Sequence, residues 1–229
     1  MTDPRMAKLA DLLVNYSVAV KPGDKTIIHG STLSEPLLRE IYIAVLKAGG
    51  FPELEVELPD AKSLFYQYAS DEQIQHVSGI DDLTTDTYDV FIHILSDANT
   101  KALSGVDPQK QVLYERARTD LSKRFMARAA DGSLRWTLSL FPTNAYAQDA
   151  EMCLADYEDF VYSAIMPDMD DPVGYWKRFS ARQQKVIDWL KGKENVHVTA
   201  PETDLRLSIK GRNFINCDCH ENVPDGEVF

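Results

Sequence analysis

The chain has 229 residues, 44% of them hydrophobic, and a formal net charge of −12. This composition provides enough apolar surface for one large domain or two small ones and argues against a disordered chain. The acidic balance disfavours binding to nucleic acid or to anionic membranes, because phosphate-rich partners attract basic surfaces.

Cysteine usage and hydropathy indicate the compartment. The three cysteines, Cys153, Cys217 and Cys219, form no disulfide framework, which is typical of a reducing environment. No apolar signal core precedes the first helical pattern, and no apolar run approaches the roughly 20 residues needed to cross a bilayer. We therefore expect a soluble, cytoplasmic protein.

Helices and strands alternate along the first part of the chain, which predicts parallel strands joined by right-handed crossovers. Hydrophobic periodicity and turn residues delimit the elements. They are, in order, a helix over Pro4–Ser17, a strand over Lys25–Gly30, a helix from Ser34 to Gly49-Gly50, a strand over Phe51–Leu58, short helices over 60–87, a nearly continuous apolar strand over Tyr88–Leu95, a long helix from Asp107-Pro108 to Asp131-Gly132, and an alternating strand over Leu134–Leu140.

The second part of the chain has a different pattern. Two helices are followed by short strands, and a Gly-containing turn predicts a hairpin. The predicted elements are helices over Leu154–Met166 and from Asp171-Pro172 to Gly192, a strand over Val196–Thr199, and hairpin arms over Leu205–Ile209 and Asn213–Cys217 around the turn Lys210-Gly211-Arg212. The predicted fold class is α/β: a three-layer, mostly parallel sheet flanked by helices, followed by helices and a small C-terminal β-hairpin region.

Two places along the chain could carry chemistry. The segment His29–Thr32 ends a predicted parallel strand, where ligands bind at topological switch points, although its serine and threonine also suit an ordinary helix cap. His93 lies in the apolar central strand and is interpreted as a satisfied core histidine.

Cys217 and Cys219 are expected to share a strand face, with His220 on the other. Because no second ligand pair exists, reduced cysteines beside a loop histidine are favoured over a zinc site.

Short segments spread over nearly the whole chain carry a family resemblance. They are Leu13–Ser17, Lys21–Asp24, Glu35–Tyr42, Ala48–Pro52, Phe141–Thr143, Ala147-Gln148, Tyr157–Val161, Asp171–Val173 with Trp176, Thr203–Leu205, Gly211-Arg212 and Asn222–Phe229. In their order and spacing, these segments resemble the aminopeptidase T / aminopeptidase S family of dinuclear metallo-aminopeptidases, also called thermophilic metalloproteases. The cysteine pair before the last segment departs from that pattern.

The resemblance implies hydrolysis of N-terminal amino acids from peptides with two divalent metal ions, zinc or cobalt, and a homodimer at full length. It assigns the glutamate of the Pro-Asp-Gly-Glu turn, Glu227, as a metal ligand. It assigns no catalytic or cofactor-binding residue in this chain. Without the family resemblance, Glu227 would be interpreted as an exposed glutamate in a turn.

The chain ends at Phe229, just inside an apolar strand, whereas family members run to nearly twice this length. We therefore expect residues 1–229 to be the N-terminal α/β domain of a longer aminopeptidase, without the C-terminal metal-binding catalytic domain. A lone Glu227 would then bind no metal tightly, and this chain would be inactive by itself. The rival hypotheses are a non-catalytic α/β module that binds a small ligand or partner near His29–Thr32, and a metal-binding protein using Cys217, Cys219 and His220.

Overall fold

A parallel sheet organises the first 140 residues of the structure, which is a computed structural model describing residues 3–229. Its strands pair in the order β2-β1-β3-β4, and all three pairings are parallel. The strands are β1 (Lys25–Ser31), β2 (Phe51–Glu57), β3 (Val90–Leu95) and β4 (Arg135–Leu140). The predicted mostly parallel sheet is confirmed.

Helices flank this sheet, as the sequence predicts. The amphipathic helix that opens the chain packs against the helix joining β1 to β2, and that helix packs against β1. The helices are α1 (Pro4–Asp11), α2 (Glu35–Ala48), α3 (Ala61–Tyr68), α4 (Asp71–Gln75), α5 (Gly79–Thr87), α6 (Pro108–Ala117), α7 (Thr119–Asp131), α8 (Asn144–Asp149), α9 (Leu154–Ile165) and α10 (Pro172–Leu190). Residues Leu12–Ser17 continue α1 as a π-helical turn.

One hydrophobic core joins the two parts of the chain. Leu9 and Leu13 of the first helical segment, Ile92 of β3 and Ile165 of α9 are all fully buried in it. Trp176 of α10 belongs to the same cluster and donates its indole N–H to the Ile165 carbonyl at 2.8 Å. The α/β sheet and the later helices therefore share a single core.

The predicted long helix after Asp107 is interrupted at Arg118. Its guanidinium donates to the carbonyl oxygens of Ile74 at 3.2 Å and His76 at 2.9 Å, and it lies 3.5 Å from the centre of the Tyr114 ring. The two carbonyl acceptors lie more than 40 residues away along the chain, so helical periodicity alone could not indicate the break between α6 and α7.

The predicted hairpin around Lys210-Gly211-Arg212 is wrong. Instead, β5 (Asn195–Ala200) pairs antiparallel with β6 (Thr203–Ser208) through a two-residue turn, Pro201-Glu202. This register places apolar side chains opposite each other, with Val196 facing Leu207 and Val198 facing Leu205. Such cross-strand pairs stabilise an antiparallel ladder, which explains the choice of partner.

The arm that the sequence assigns to the other side of that hairpin pairs elsewhere. Strand β7 (Asn216–Cys217) lies antiparallel to β8 (Glu227–Val228) in a separate two-stranded ribbon. A small C-terminal β region is therefore present, but with a different connection. Within residues 3–229, none of the helices is both long and apolar enough to cross a membrane.

Helix α2 offers a matched test of where the core lies. Leu37 is fully buried, whereas Leu46 on the same helix is 52% exposed. We predict that Leu37→Ala lowers the free energy of unfolding by about 2–5 kcal/mol, because it removes buried methyl groups and leaves a cavity. Leu46→Ala should lower it by only about 1 kcal/mol or less. Urea unfolding of both variants checks the difference, and equal losses would contradict this placement of α2.

Candidate metal centre

The segment before the Pro-Asp-Gly-Glu turn is fastened to the edge of the parallel sheet. Leu138 of β4 donates its backbone N–H to the Glu221 carbonyl at 2.7 Å, and its own carbonyl accepts from Val223 at 2.8 Å. The buried hydroxyl of Ser139 donates to the Val223 carbonyl at 2.9 Å. Residues 221–223 thus extend the sheet beyond β4. Their backbone is held in place by these hydrogen bonds, directly before the Pro-Asp-Gly-Glu turn.

The turn leads Glu227 back alongside β7. In this ribbon Cys217 and Glu227 are directly opposed partners. Two backbone hydrogen bonds close its far end, from Ile215 N–H to the Phe229 carbonyl at 2.7 Å and from Phe229 N–H to the Ile215 carbonyl at 3.0 Å. Glu227 therefore lies in an ordered antiparallel pair, not in a free terminus.

Helix α10 holds the other strand of the ribbon. The buried Gln183 side chain donates to both the Asn216 side-chain oxygen and the Cys217 carbonyl, each at 2.9 Å. The Asn216 amide in turn donates to the Ser180 carbonyl at 3.1 Å. These bonds fix the backbone of β7 on both sides of the Cys217 side chain.

Three ligand-type atoms converge at this ribbon. The Cys217 sulfur and one carboxylate oxygen each from Asp225 and Glu227 all lie within 4.8 Å of one another. Across residues 3–229 this is the one group of three or more histidine, cysteine, aspartate or glutamate side chains that meets this spacing. Glu227, the metal ligand that the family resemblance implies, therefore has two neighbours, Cys217 and Asp225, that the sequence alone does not connect with it.

The electrostatics of this group suit a cation. Burial raises the pKa of Asp225, and the neighbouring carboxylates of Glu227 and Glu221 raise it further. Burial likewise raises the pKa of the Cys217 thiol, with added effects from Asp225 and Glu227. Acidic groups that disfavour one another's ionised forms would be stabilised together by a divalent ion.

Asp225 also has an unused ligand atom. Its Oδ1 accepts from the Gly226 N–H at 2.9 Å, whereas its Oδ2 is buried and makes no well-aligned hydrogen bond in the described part of the chain, although the Cys219 backbone N–H acts on the same carboxyl group. Gly226 has a φ of 129°, and a Cβ there would come within 3.2 Å of the Phe179 ring. A close-packed turn, an unsatisfied buried oxygen and a sulfur–carboxylate donor set fit a divalent metal.

The trio Cys217, Cys219 and His220 does not converge. Strand β7 ends at Cys217, and Cys219 has a φ of 71°, so the expectation that the two cysteines share a strand face is wrong. Cys219 is fully buried, which raises the pKa of its thiol. His220 instead pairs with Asp218, with 2.6 Å between Nδ1 and Oδ1, and lies beside the Tyr16 ring.

A second polar cluster occupies the carboxyl end of the parallel sheet, at the switch point between β1 and β3. His29 and His93 are register partners whose rings meet edge to face at 4.3 Å between centroids. The Nε2 of His29 lies 3.4 Å from a Glu57 oxygen, and Lys62 lines the same cleft. His93 is thus half-buried in a polar cleft, unlike the satisfied core histidine expected from its apolar strand.

The two histidines of this cleft have opposite pKa shifts. Burial opposes the charged form of His29, but the hydrogen bond to Glu57 and the charges of Glu57 and Glu55 outweigh it and raise its pKa. Burial lowers the pKa of His93 to about 4, and the positive charges of His29 and Lys62 act in the same direction. At mildly acidic pH the cleft therefore holds one charged and one neutral imidazole.

The loop after β1 behaves as a helix cap. Ser31 Oγ accepts from the Leu33 N–H at 3.2 Å at the start of the 3-10 turn Thr32–Ser34, so the serine of this segment caps a short turn before α2 and not α2 itself. Ser34 donates its hydroxyl to the Ser31 carbonyl at 2.9 Å instead of capping α2. His76 and His197 are exposed and lie outside both clusters.

Comparison with protein families places this chain in a class of metallopeptidases. The model of the thermophilic metalloprotease (M29) family matches residues 2–229. The chain belongs to that family, and the resemblance found in the sequence is confirmed.

Two relatives show how much of such a protein this chain covers. Aminopeptidase 2 of Geobacillus stearothermophilus is 22% identical over 205 residues, which are 84% of this chain and 49% of the relative. Wild-type AmpT from Thermus thermophilus has the same fold, with a TM-score of 0.78 and 16% identity over 98% of this chain and 60% of its own. The chain thus spans about half the length of the curated relative it matches.

The polar cleft allows a test by titration. We predict that Glu57→Gln lowers the pKa of His29, because it removes the carboxylate that stabilises the imidazolium. The matched control Glu53→Gln, on the exposed β2 strand, should change it little. Imidazole NMR resonances followed against pH measure both values. An unchanged His29 pKa in Glu57→Gln would contradict the pairing.

The His29–Glu57 pair should also stabilise the fold to an extent that depends on pH. Its contribution requires ionised Glu57, whose ordinary pKa is 4.5, and protonated His29, whose ordinary pKa is 6.5. The contribution falls as pH drops through the lowered pKa of Glu57 and as pH rises through the raised pKa of His29. Glu57→Gln should therefore destabilise the fold most between pH 4.5 and 6.5. Thermal melts across pH check this window, and a loss independent of pH would contradict it.

Proposed function

We propose that this chain is the N-terminal α/β domain of a metal-dependent aminopeptidase, which removes N-terminal amino acids from peptides. The observation that carries the proposal is the convergence of Glu227 with two further ligand atoms on an ordered ribbon, in a chain of a metalloprotease family. Glu227 is the proposed metal ligand. The name of Aminopeptidase 2 supports the choice of reaction.

The proposed cofactors are two divalent ions, zinc or cobalt, which would supply a polarised carbonyl and an activated water for hydrolysis. The task of this chain is to hold ligand atoms in place before metal binds. Helix α10 fixes β7, and the attachment of residues 221–223 to β4 fixes the turn before Glu227. Such preorganisation strengthens metal binding, because less ordering remains to occur.

A two-metal centre needs about five or more protein ligands, which exceeds what this ribbon supplies. We propose that the other ligands belong to a C-terminal catalytic domain outside residues 1–229. The length of Aminopeptidase 2, of which the match covers 49%, supports this division. On this proposal the 229-residue chain is inactive alone, and the full-length enzyme is a cytoplasmic homodimer acting on peptides.

The second candidate, a small-ligand-binding module without catalysis, has one observation in its favour. The cleft containing His29, Glu57 and His93 lies at a topological switch point, where α/β sheets commonly bind ligands. A small molecule retained there, together with an absence of peptidase activity in the full-length protein, would favour this candidate.

Activity measurements test whether the 229-residue chain needs the proposed C-terminal domain for hydrolysis. We predict that the purified 229-residue chain hydrolyses no amino-acid anilide above background with added zinc or cobalt, because the metal centre is incomplete. The full-length protein under the same conditions serves as the positive control and should be active. Metal-dependent turnover by the 229-residue chain would contradict the proposed inactivity, and an inactive full-length protein would contradict the enzyme assignment.

A charge-matched pair of variants tests Glu227 itself. In the full-length enzyme, Glu227→Gln should lower kcat/KM by about 100-fold or more, since even outer hydrogen-bond partners of metal ligands contribute 10–100-fold. Glu221→Gln removes a neighbouring charge outside the three-atom group and should have a small effect. Similar losses in both variants would indicate a general charge effect and contradict a ligand role for Glu227.

A further inference from the structure

We propose that Cys217 is itself a metal ligand, whose thiolate joins Asp225 and Glu227 in a three-donor site that prefers zinc or cobalt to magnesium or calcium. This inference deepens the proposed function, because it shares Glu227 with the proposed enzyme. It adds a sulfur donor that neither the family resemblance nor Glu227 provides, and this donor gives a physical reason for the zinc or cobalt that the resemblance implies.

The ribbon register is the first support. Cys217 and Glu227 are directly opposed in the antiparallel pair, so their side chains project from the same face. Bonds of about 2.0–2.3 Å to a tetrahedral ion hold donor atoms roughly 3.3–3.8 Å apart. Atoms that already lie within 4.8 Å of one another need shifts of only about an ångström to reach this spacing.

The free oxygen of Asp225 is an independent support. It is buried and makes no well-aligned hydrogen bond among residues 3–229, although the Cys219 backbone N–H acts on the same carboxyl group, while the other oxygen is engaged by the Gly226 N–H. Buried carboxylate oxygens are normally satisfied, and an unsatisfied one calls for a missing partner. A cation bound between this oxygen, the Cys217 sulfur and the Glu227 carboxylate would satisfy it.

The backbone that carries Cys217 is anchored by hydrogen bonds to helix α10. Gln183 holds its carbonyl and Asn216 anchors the preceding residue, so the sulfur is presented from a fixed backbone. On binding, the thiol releases its proton to solvent and the sulfur donates a lone pair to the metal, with no change in oxidation state. Thiolate is a soft donor, which is why the site selects zinc or cobalt over magnesium or calcium.

Cobalt titration of the 229-residue chain tests the thiolate directly. The wild-type chain should develop a near-ultraviolet thiolate-to-cobalt charge-transfer band, which carboxylates and imidazoles do not produce. Cys217→Ser should lose the band and weaken cobalt binding by at least about tenfold in a chelator competition. Cys153→Ser, at the exposed N-cap of α9, is the matched control and should retain both. Circular dichroism establishes that each variant folds.

The outcomes separate this inference from the proposed function. Cobalt binding that depends on Glu227 but shows no charge-transfer band, with Cys217→Ser equal to wild type, would overturn the thiolate ligand and leave the aminopeptidase proposal standing. A folded chain that binds no cobalt would also overturn the inference, since the three donors belong to this chain.

A band that persists in Glu227→Gln with unchanged affinity would instead count against the ligand role of Glu227. A magnesium excess that displaces cobalt would contradict the stated preference.

Discussion

The antiparallel pairing of β7 with β8 is the constraint on which the candidate metal centre depends. It opposes Cys217 to Glu227, and the intervening turn brings Asp225 to the same place. A shift of this register by one residue would turn one strand's side chains to the opposite face and disperse the three donors. The rest of the fold can be understood as support for this one register.

That support comes from two directions. The edge of the parallel sheet receives residues 221–223, and the buried amide of Gln183 on α10 fixes the carbonyl of Cys217. Both supports rest on the common core, to which Trp176 of α10 and the central strand β3 belong. The α/β sheet therefore contributes to the candidate metal centre indirectly, because it fixes the backbone of the segments that carry the ligand atoms.

The sheet and its helices can be predicted from the sequence, because burial imposes hydrophobic periods of about 2 residues on strands and about 3.6 residues on helices. The apolar run Tyr88–Leu95, for example, predicts β3 to within two residues. The sequence could not predict pairings decided by distant partners. The break at Arg118 depends on carbonyls of α4 and its C-cap, and the partner of β7 lies across a nine-residue loop. The family resemblance indicates Glu227, whereas the sequence alone groups Cys217 with Cys219 and His220, because only the ribbon register relates Cys217 to Glu227.

The most direct measurement is a crystal structure of the 229-residue chain with zinc, using anomalous scattering at the zinc edge to locate the ion. The account predicts an anomalous peak at the ribbon, within bonding distance of the Glu227 carboxylate. Zinc bound only elsewhere, with the Glu227 carboxylate directed into solvent, would contradict the assignment of this ribbon as part of the metal centre.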